Sequence, residues 1–256
     1  MLGPAEEFGQ TAPVGYAEAA PGDPFLKIGV GLLERPDMHA YEFWRPYRIV
    51  RPGEWQVTHG VDWAEMTQRL TLGGWSLGYA KRVTLLPDRP EIVLSHTLEN
   101  TGTRHLETDW YCHNFVNIDG IPVGPEYHLT LPFPPNFQAQ AGRAVTTSGQ
   151  TMTFSERLGS ADAQFGHISG FGRGETQHCI TVENTASGAG VLLFGDRALS
   201  ELRLFAAAGA VCPEPFLRLR IPPGQTDQWQ THYRLFAKTS PAFFEEQNGQ
   251  RSHGPD

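Results

Sequence analysis

A histidine and a glutamate 101 positions apart have the makings of an acid–base pair. His113 lies in residues 106–120, Leu-Glu-Thr-Asp-Trp-Tyr-Cys-His-Asn-Phe-Val-Asn-Ile-Asp-Gly. Read as a strand, successive side chains alternate faces. Leu106, Thr108, Trp110 and Cys112 form a core face, and Glu107, Asp109, Tyr111 and His113 form a face of proton donors and acceptors. Glu214 lies in residues 210–221, where Val211, Leu217, Leu219 and Ile221 share one side and Glu214, Arg218 and Arg220 the other. Pro213 and Pro215 bracket the glutamate and bias it toward extended backbone. Taken singly, each polar face is more often just a solvated one. The second stretch is what shifts the balance. With ordinary pKa values of about 4.3 and 6.5, Glu214 is the base near neutrality. His113 then needs a raised pKa to act as the acid, and Asp109 or Glu107 is the expected cause.

The same residues resemble a known family. His113-Asn114-Phe115 with Asn117 and Gly120 resembles the N-H-x-Y-F-N-L-x-G segment of the aldose 1-epimerase (galactose mutarotase) superfamily. Leu98-Glu99-Asn100-Thr101-Gly102 resembles its preceding L-x-N-x-G turn, and Cys212-Pro213-Glu214-Pro215 with Pro223-Gly224 resembles its C-x-E-P…P-G end. The resemblance runs from about Lys27 to Phe236. It implies an all-β fold, a large antiparallel twisted β-sandwich of the galactose mutarotase-like supersandwich type. It also implies sugar ring opening without metal or cofactor. Glu214 would take the proton of the anomeric hydroxyl and His113 would protonate the ring oxygen. Lys27, beside Gly29 and Gly31, resembles the Arg/Lys-Gly-Gly segment that lines the sugar site in parts of the superfamily. Tyr111, Asn114 and Arg218 are the other expected substrate contacts.

The chain also departs from that pattern. The upstream His-Gly-Gly segment and a clear counterpart of the sugar-contacting Asp are missing, and Tyr111-Cys112-His113 replaces the Asn-His context. The opening strands have no counterpart either, so the resemblance implies a chain that starts partway into the usual domain with an open sheet edge. Two further readings stay open because the fold hosts several functions. One is a polysaccharide lyase or other carbohydrate-processing enzyme, with Tyr111 or His113 abstracting a proton beside a uronic carboxylate held by Lys27 and Arg218. The other is a noncatalytic sugar-binding module.

The elements that must position these residues read as strands. The chain has 28 Gly and 20 Pro among 256 residues, close to a fifth against about 12% on average. Residues 25–35 read as one strand, with Ile28, Val30 and Leu32 opposite Lys27, Gly29 and Gly31. Residues 61–70 carry Asp62 and Glu65, which could open a helix, but their place before Gly73-Gly74 in the resemblance makes them a strand. Residues 81–86 and 91–99 form a hairpin around Pro87-Asp88-Arg89-Pro90. His96 shares a face with Ile92, Leu94 and Leu98 and reads as a hydrogen-bonded core histidine. Most aromatics of 41–57 (Tyr41, Phe43, Trp44, Tyr47, Trp55) read as core. Residues 137–164 hold one or two edge strands, 178–182 and 190–194 a hairpin, and 229–236 a last strand. Residues 1–24 read as a poorly structured segment or loop, 25–240 as one β-sandwich domain, and 241–256 as a flexible tail.

Composition narrows the partners. A net charge of −8 without basic clusters argues against nucleic acid and anionic membrane. No apolar run approaches the roughly 18 residues of a membrane helix. Cys112, Cys179 and Cys212 have no metal-ligand spacing and read as free thiols of a reducing, cytoplasmic compartment. Cys112 belongs to the core side and Cys212 to the pocket side. A small-molecule sugar or oligosaccharide is the expected partner, and the oligomeric state is not legible.

Overall fold

The computed structural model describes residues 3–238. Its strands begin with β1 (Gly3–Phe8), β2 (Pro24–Lys27), β3 (Gly31–Glu34), β4 (Ile49–Pro52), β5 (Trp55–His59) and β6 (Trp63–Leu72). There follow β7 (Trp75–Leu85), β8 (Glu91–Asn100), β9 (Leu106–Phe115), β10 (Tyr127–Thr130), β11 (Asn136–Ala141), β12 (Val145–Ser148) and β13 (Thr151–Phe154). The last are β14 (Gln164–Ser169), β15 (Cys179–Asn184), β16 (Ala189–Gly195), β17 (Glu201–Ala207), β18 (Ala210–Ile221) and β19 (Thr226–Ala237). Among the described residues the one helical element is a 3-10 turn at Glu175–Gln177, and no helix is long and apolar enough to cross a membrane.

Six strands form one sheet in the order β1-β9-β18-β17-β14-β11, and ten form a second in the order β12-β13-β10-β15-β16-β19-β8-β7-β6-β5. A small sheet, β2-β3-β4, stands beside them. The large sheets are antiparallel throughout, so the fold is the antiparallel β-sandwich expected from the sequence. Its core lies between them. Trp110, Cys112, Leu217 and Leu219 of the first sheet meet Tyr79, Leu98 and Trp229 of the second. Trp110 and Trp229 pack edge-on at 5.9 Å, and burying a ring system of that size contributes about 5 kcal/mol by area.

Several sequence expectations change. Residues 3–8 are ordered as β1, pairing with β9 from Gly3 opposite Phe115 to Phe8 opposite Trp110. Their acidic composition hides the alternation: Phe8 fills the core, and Glu6, also inward, is neutralised by Lys81 and His96. Residues 25–35 are a hairpin, β2 and β3. Gly29 (φ 88°) and Gly31 (φ 142°) make the reversal, and a Cβ on Gly31 would come within 2.4 Å of the Arg51 carbonyl of β4. The bare glycine serves another backbone, as such glycines can.

The 41–57 segment also divides differently. Tyr41 and Tyr47 pack on Tyr16 and Phe25, whereas Trp44 is 71% exposed and β5 lies entirely at the surface. Residues 137–164 hold β11, β12 and β13 and reach the start of β14. Residues 61–70 are strand, and the β7–β8 hairpin forms as expected. The tail expected at 241–256 lies outside the described residues.

Candidate active site on the six-stranded sheet

Strand register decides who meets whom on β9 and β18. Phe216 stands opposite Tyr111, and beyond a gap Val211 bridges Val116. Both registers extrapolate to Glu214 opposite His113. Val211 and Val116 exchange both backbone bonds, at 2.9 and 3.0 Å. Alternation then makes His113–Glu214 a non-hydrogen-bonded pair, the kind whose side chains lie closest. His113 Nε2 is accordingly 3.1 Å from Glu214 Oε1. The acid–base pair expected from the sequence is thus in direct contact on one sheet face. Cavities of about 470 Å³ over β6, β7 and β8 and of about 410 Å³ beside Asp109 and Arg218 are both lined by other residues.

The electrostatics run opposite to the expectation from sequence. Burial pushes the Glu214 carboxyl up to about 7; Arg203 offsets part of this and Glu201 adds to it. Burial also pulls the His113 imidazole below its ordinary value. His113 stacks on Phe115 at 4.1 Å and leans on Phe205. Its buried Nδ1 meets no partner among the described residues, so an imidazolium would bury an unpaired charged donor. The acids expected to raise it are engaged elsewhere. Asp109 accepts from the Gln10 and Thr11 amides at 2.7 and 3.2 Å and from the Thr11 hydroxyl. Glu107 sits with Arg218 and Arg220 at the surface.

The other expected contacts separate. Tyr111 shares the face of the pair, stacked on Phe216 at 4.9 Å. Lys27 reaches the edge of that surface with its ammonium already taken by Glu7 at 2.5 Å, Tyr41 at 2.9 Å and the Gly9 carbonyl at 3.2 Å. Arg218 lies two alternate positions from Glu214, opposite Asp109, and faces the 410 Å³ cavity. Asn114 points the other way. Strand alternation turns it into the core, 2% exposed, where it binds the Pro213 carbonyl at 2.8 Å and the Tyr233 hydroxyl at 2.8 Å. It is therefore no substrate contact.

Sequence reading missed a polar row across the neighbouring strands. Arg203 of β17, opposite Glu214, bonds Glu201 at 2.6 Å and Gln10 at 2.9 Å and covers the Phe216 ring. His167 of β14 meets Glu201 at 2.9 Å. Glu7 of β1 stands opposite Tyr111 and is partly exposed. Arg203 and Glu201 share a face by their alternation with Leu202 and Leu204, which was a usable signal. The pairing of β17 with β18 was not.

The three cysteines are free, with Cys112 and Cys212 buried. Cys212 stands opposite Phe205, and burial, then Glu214, raises its thiol. No group of three or more His, Cys, Asp or Glu among the described residues could hold a metal ion.

No protein-family model and no curated protein matches the chain. Solved structures do. An aldose epimerase homologue from C. elegans superposes with a TM-score of 0.58 at 13% identity, over 91% of this chain and 82% of that one. A galactose mutarotase related enzyme from Lactobacillus acidophilus gives 0.57 at 9% identity, over 93% and 84%. A galactose mutarotase-like protein from Clostridium acetobutylicum gives 0.54 at 10%, over 91% and 79%. The chain is therefore built on the aldose 1-epimerase/galactose mutarotase-like fold.

Proposed function

We propose that the protein is an aldose 1-epimerase-like isomerase that opens and recloses a sugar ring with Glu214 and His113. The observation that carries this reading is their direct contact at 3.1 Å on the sheet face, with Glu214 raised to about 7 and His113 lowered. Such a pair holds one transferable proton near neutrality. Burial places that proton on Glu214 in the free protein, so Glu214 donates to the ring oxygen while His113 receives the anomeric proton. The C1–C2 bond of the open aldehyde rotates, and reclosure on the other face of the carbonyl runs the two transfers in reverse. This exchanges the roles that the resemblance implied and needs no outside proton. The sugar lies over the pair, since contact leaves no gap between them. Tyr111 and Glu7 offer it hydrogen-bond partners on the same surface.

The lyase reading required Lys27 and Arg218 to hold a carboxylate. Lys27 is engaged by Glu7 and Arg218 pairs with Glu107, so no observation favours it. The test is anomer exchange in reducing aldoses, followed by saturation-transfer NMR near neutral pH. The protein should speed exchange between anomer signals above the buffer rate, and Glu214→Gln should remove that acceleration. Saturation of sugar signals without exchange would identify a binding module and end the proposal.

A further inference from the structure

The prolines that bracket Glu214 leave a defect in the sheet. Backbone groups of alternate residues point to the same side of an antiparallel strand. Val211 turns both of its groups to β9, so Pro213 and Pro215 face β9 too, and neither has an N–H to give. Pro215 therefore leaves the Cys112 carbonyl without its ladder donor, and Pro213 leaves the Asn114 carbonyl without one. The Asn114 side chain supplies the first of these and ties β9 to the Pro213 carbonyl as well. The Asn114 side-chain amide donates to the Pro213 carbonyl at 2.8 Å and to the Cys112 carbonyl at 3.3 Å. Its oxygen accepts from the Tyr233 hydroxyl of the ten-stranded sheet at 2.8 Å and from the Cys112 thiol at 3.2 Å. All of this is buried.

We propose that Asn114 is a positioning residue. Its carboxamide stands in for the ladder bond that Pro215 cannot give the Cys112 carbonyl, adds a side-chain bond to the Pro213 carbonyl, and so fixes Glu214 against His113, with Tyr233 anchoring it to the opposite sheet. The proposal deepens the function above, because the pair it positions is the one assigned there. It gives Asn114 a role in the site from the core side, one residue from His113 in β9 and bound to the residue before Glu214 in β18. The groups that face Glu214 are His113, Arg203, Glu201, Tyr111 and Cys212, and Asn114 adds no charge to them.

The test follows the Glu214 side-chain carbon and the His113 ring by NMR across pH in protein carrying 13C in Glu and His. In the unaltered protein Glu214 should titrate at about 7. In Asn114→Ala the carboxylate should swing away from His113 toward water, and its midpoint should fall by at least about one pH unit, a tenfold loss of proton affinity. Tyr233→Phe, a milder change, should move it the same way and carries the test if Asn114→Ala does not fold. Leu219→Ala, a cavity in the same strand, should lower stability and leave the midpoint in place. A midpoint unmoved in a folded Asn114→Ala or Tyr233→Phe protein, or moved as far by Leu219→Ala, overturns the proposal. The titration needs no turnover, so failure of sugar exchange in the unaltered protein would end the isomerase reading separately.

Discussion

Burial governs both partners at the centre of the site, and it acts on them in opposite senses. Glu214 is raised to about 7 by loss of solvent, although Arg203 pulls against it. The raised group favours the folded state below the unfolded carboxylate value and loses that contribution as pH rises to about 7. His113 is depressed, so its contribution is present above the ordinary imidazole value and is lost as pH falls through its folded value. In denaturant titrations at a series of pH values, Glu214→Gln should therefore gain on the unaltered protein as pH rises. The gain should reach about 3 kcal/mol above neutrality, from a displacement of this size at about 1.4 kcal/mol per unit. A stability difference flat in pH would contradict the burial account. Activity should move the other way. Glu214→Gln and His113→Asn should each lower anomer exchange by roughly 10²–10⁴-fold, the usual range for a positioned acid or base. The identities of this His and this Glu were legible in the sequence because alternation and the bracketing prolines mark them. Their protonation was not, since it depends on Phe115, Phe205 and Arg203, which come from elsewhere in β9 and from β17.

β1 shows what a short element can hide. On its solvent-facing side Glu7 meets Lys27, and on its inner side Glu6 meets Lys81 and His96 between the sheets. Burial alone would raise the Glu6 carboxyl, but contacts with His96 and Lys81 outweigh it and hold the group below its usual value. His96 is further fixed by Tyr79 at 3.0 Å and by the Trp229 ring stacked at 4.8 Å. Its place as a hydrogen-bonded core histidine was readable from the face it shares with Leu94 and Leu98. Its acidic partner was not, because Glu-Glu-Phe looks like a solvated tail until β9 offers it an edge. Removing one member of a buried charge set typically costs 3–5 kcal/mol, so Glu6→Ala should lower unfolding stability by about that much. Glu7→Ala, on the partly exposed side of the same strand, should cost less than Glu6→Ala, because water reaches the Glu7 carboxylate although its partner Lys27 is buried. Equal losses in chemical denaturation would mean that β1 is not held by its inner face. Since Glu6 is depressed, its share should also disappear as pH falls through its folded value, so the two variants should converge in acid.

Across the whole molecule, stability should fall off from the middle of the sandwich to one rim. At the middle, β9 and β18 pair with each other and with a further strand on each outer side, and Trp110, Leu217 and Leu219 lie in the shared core. In the facing sheet, β8 and β19 are paired on both sides and carry Leu98 and Trp229. At the rim, β5 ends the ten-stranded sheet with one neighbour, and each of its five residues is exposed. β4 ends the small sheet in the same condition. Turn residues and alternation made the β7–β8 hairpin legible, but β4 and β5 lack a buried face, and without one the period-2 signal has nothing to follow. Local opening costs least where few apolar contacts are broken. Amide hydrogen exchange should therefore be fast in β4 and β5. It should be slowest in β8, β9, β18 and β19 and at the N–H groups of Val116 and Val211, which bond to each other just beyond the His113–Glu214 pair. Fast exchange at Val116 and Val211, with β5 protected, would show that the rigid part of the molecule lies away from the site and that the prolines leave a loose seam beneath it.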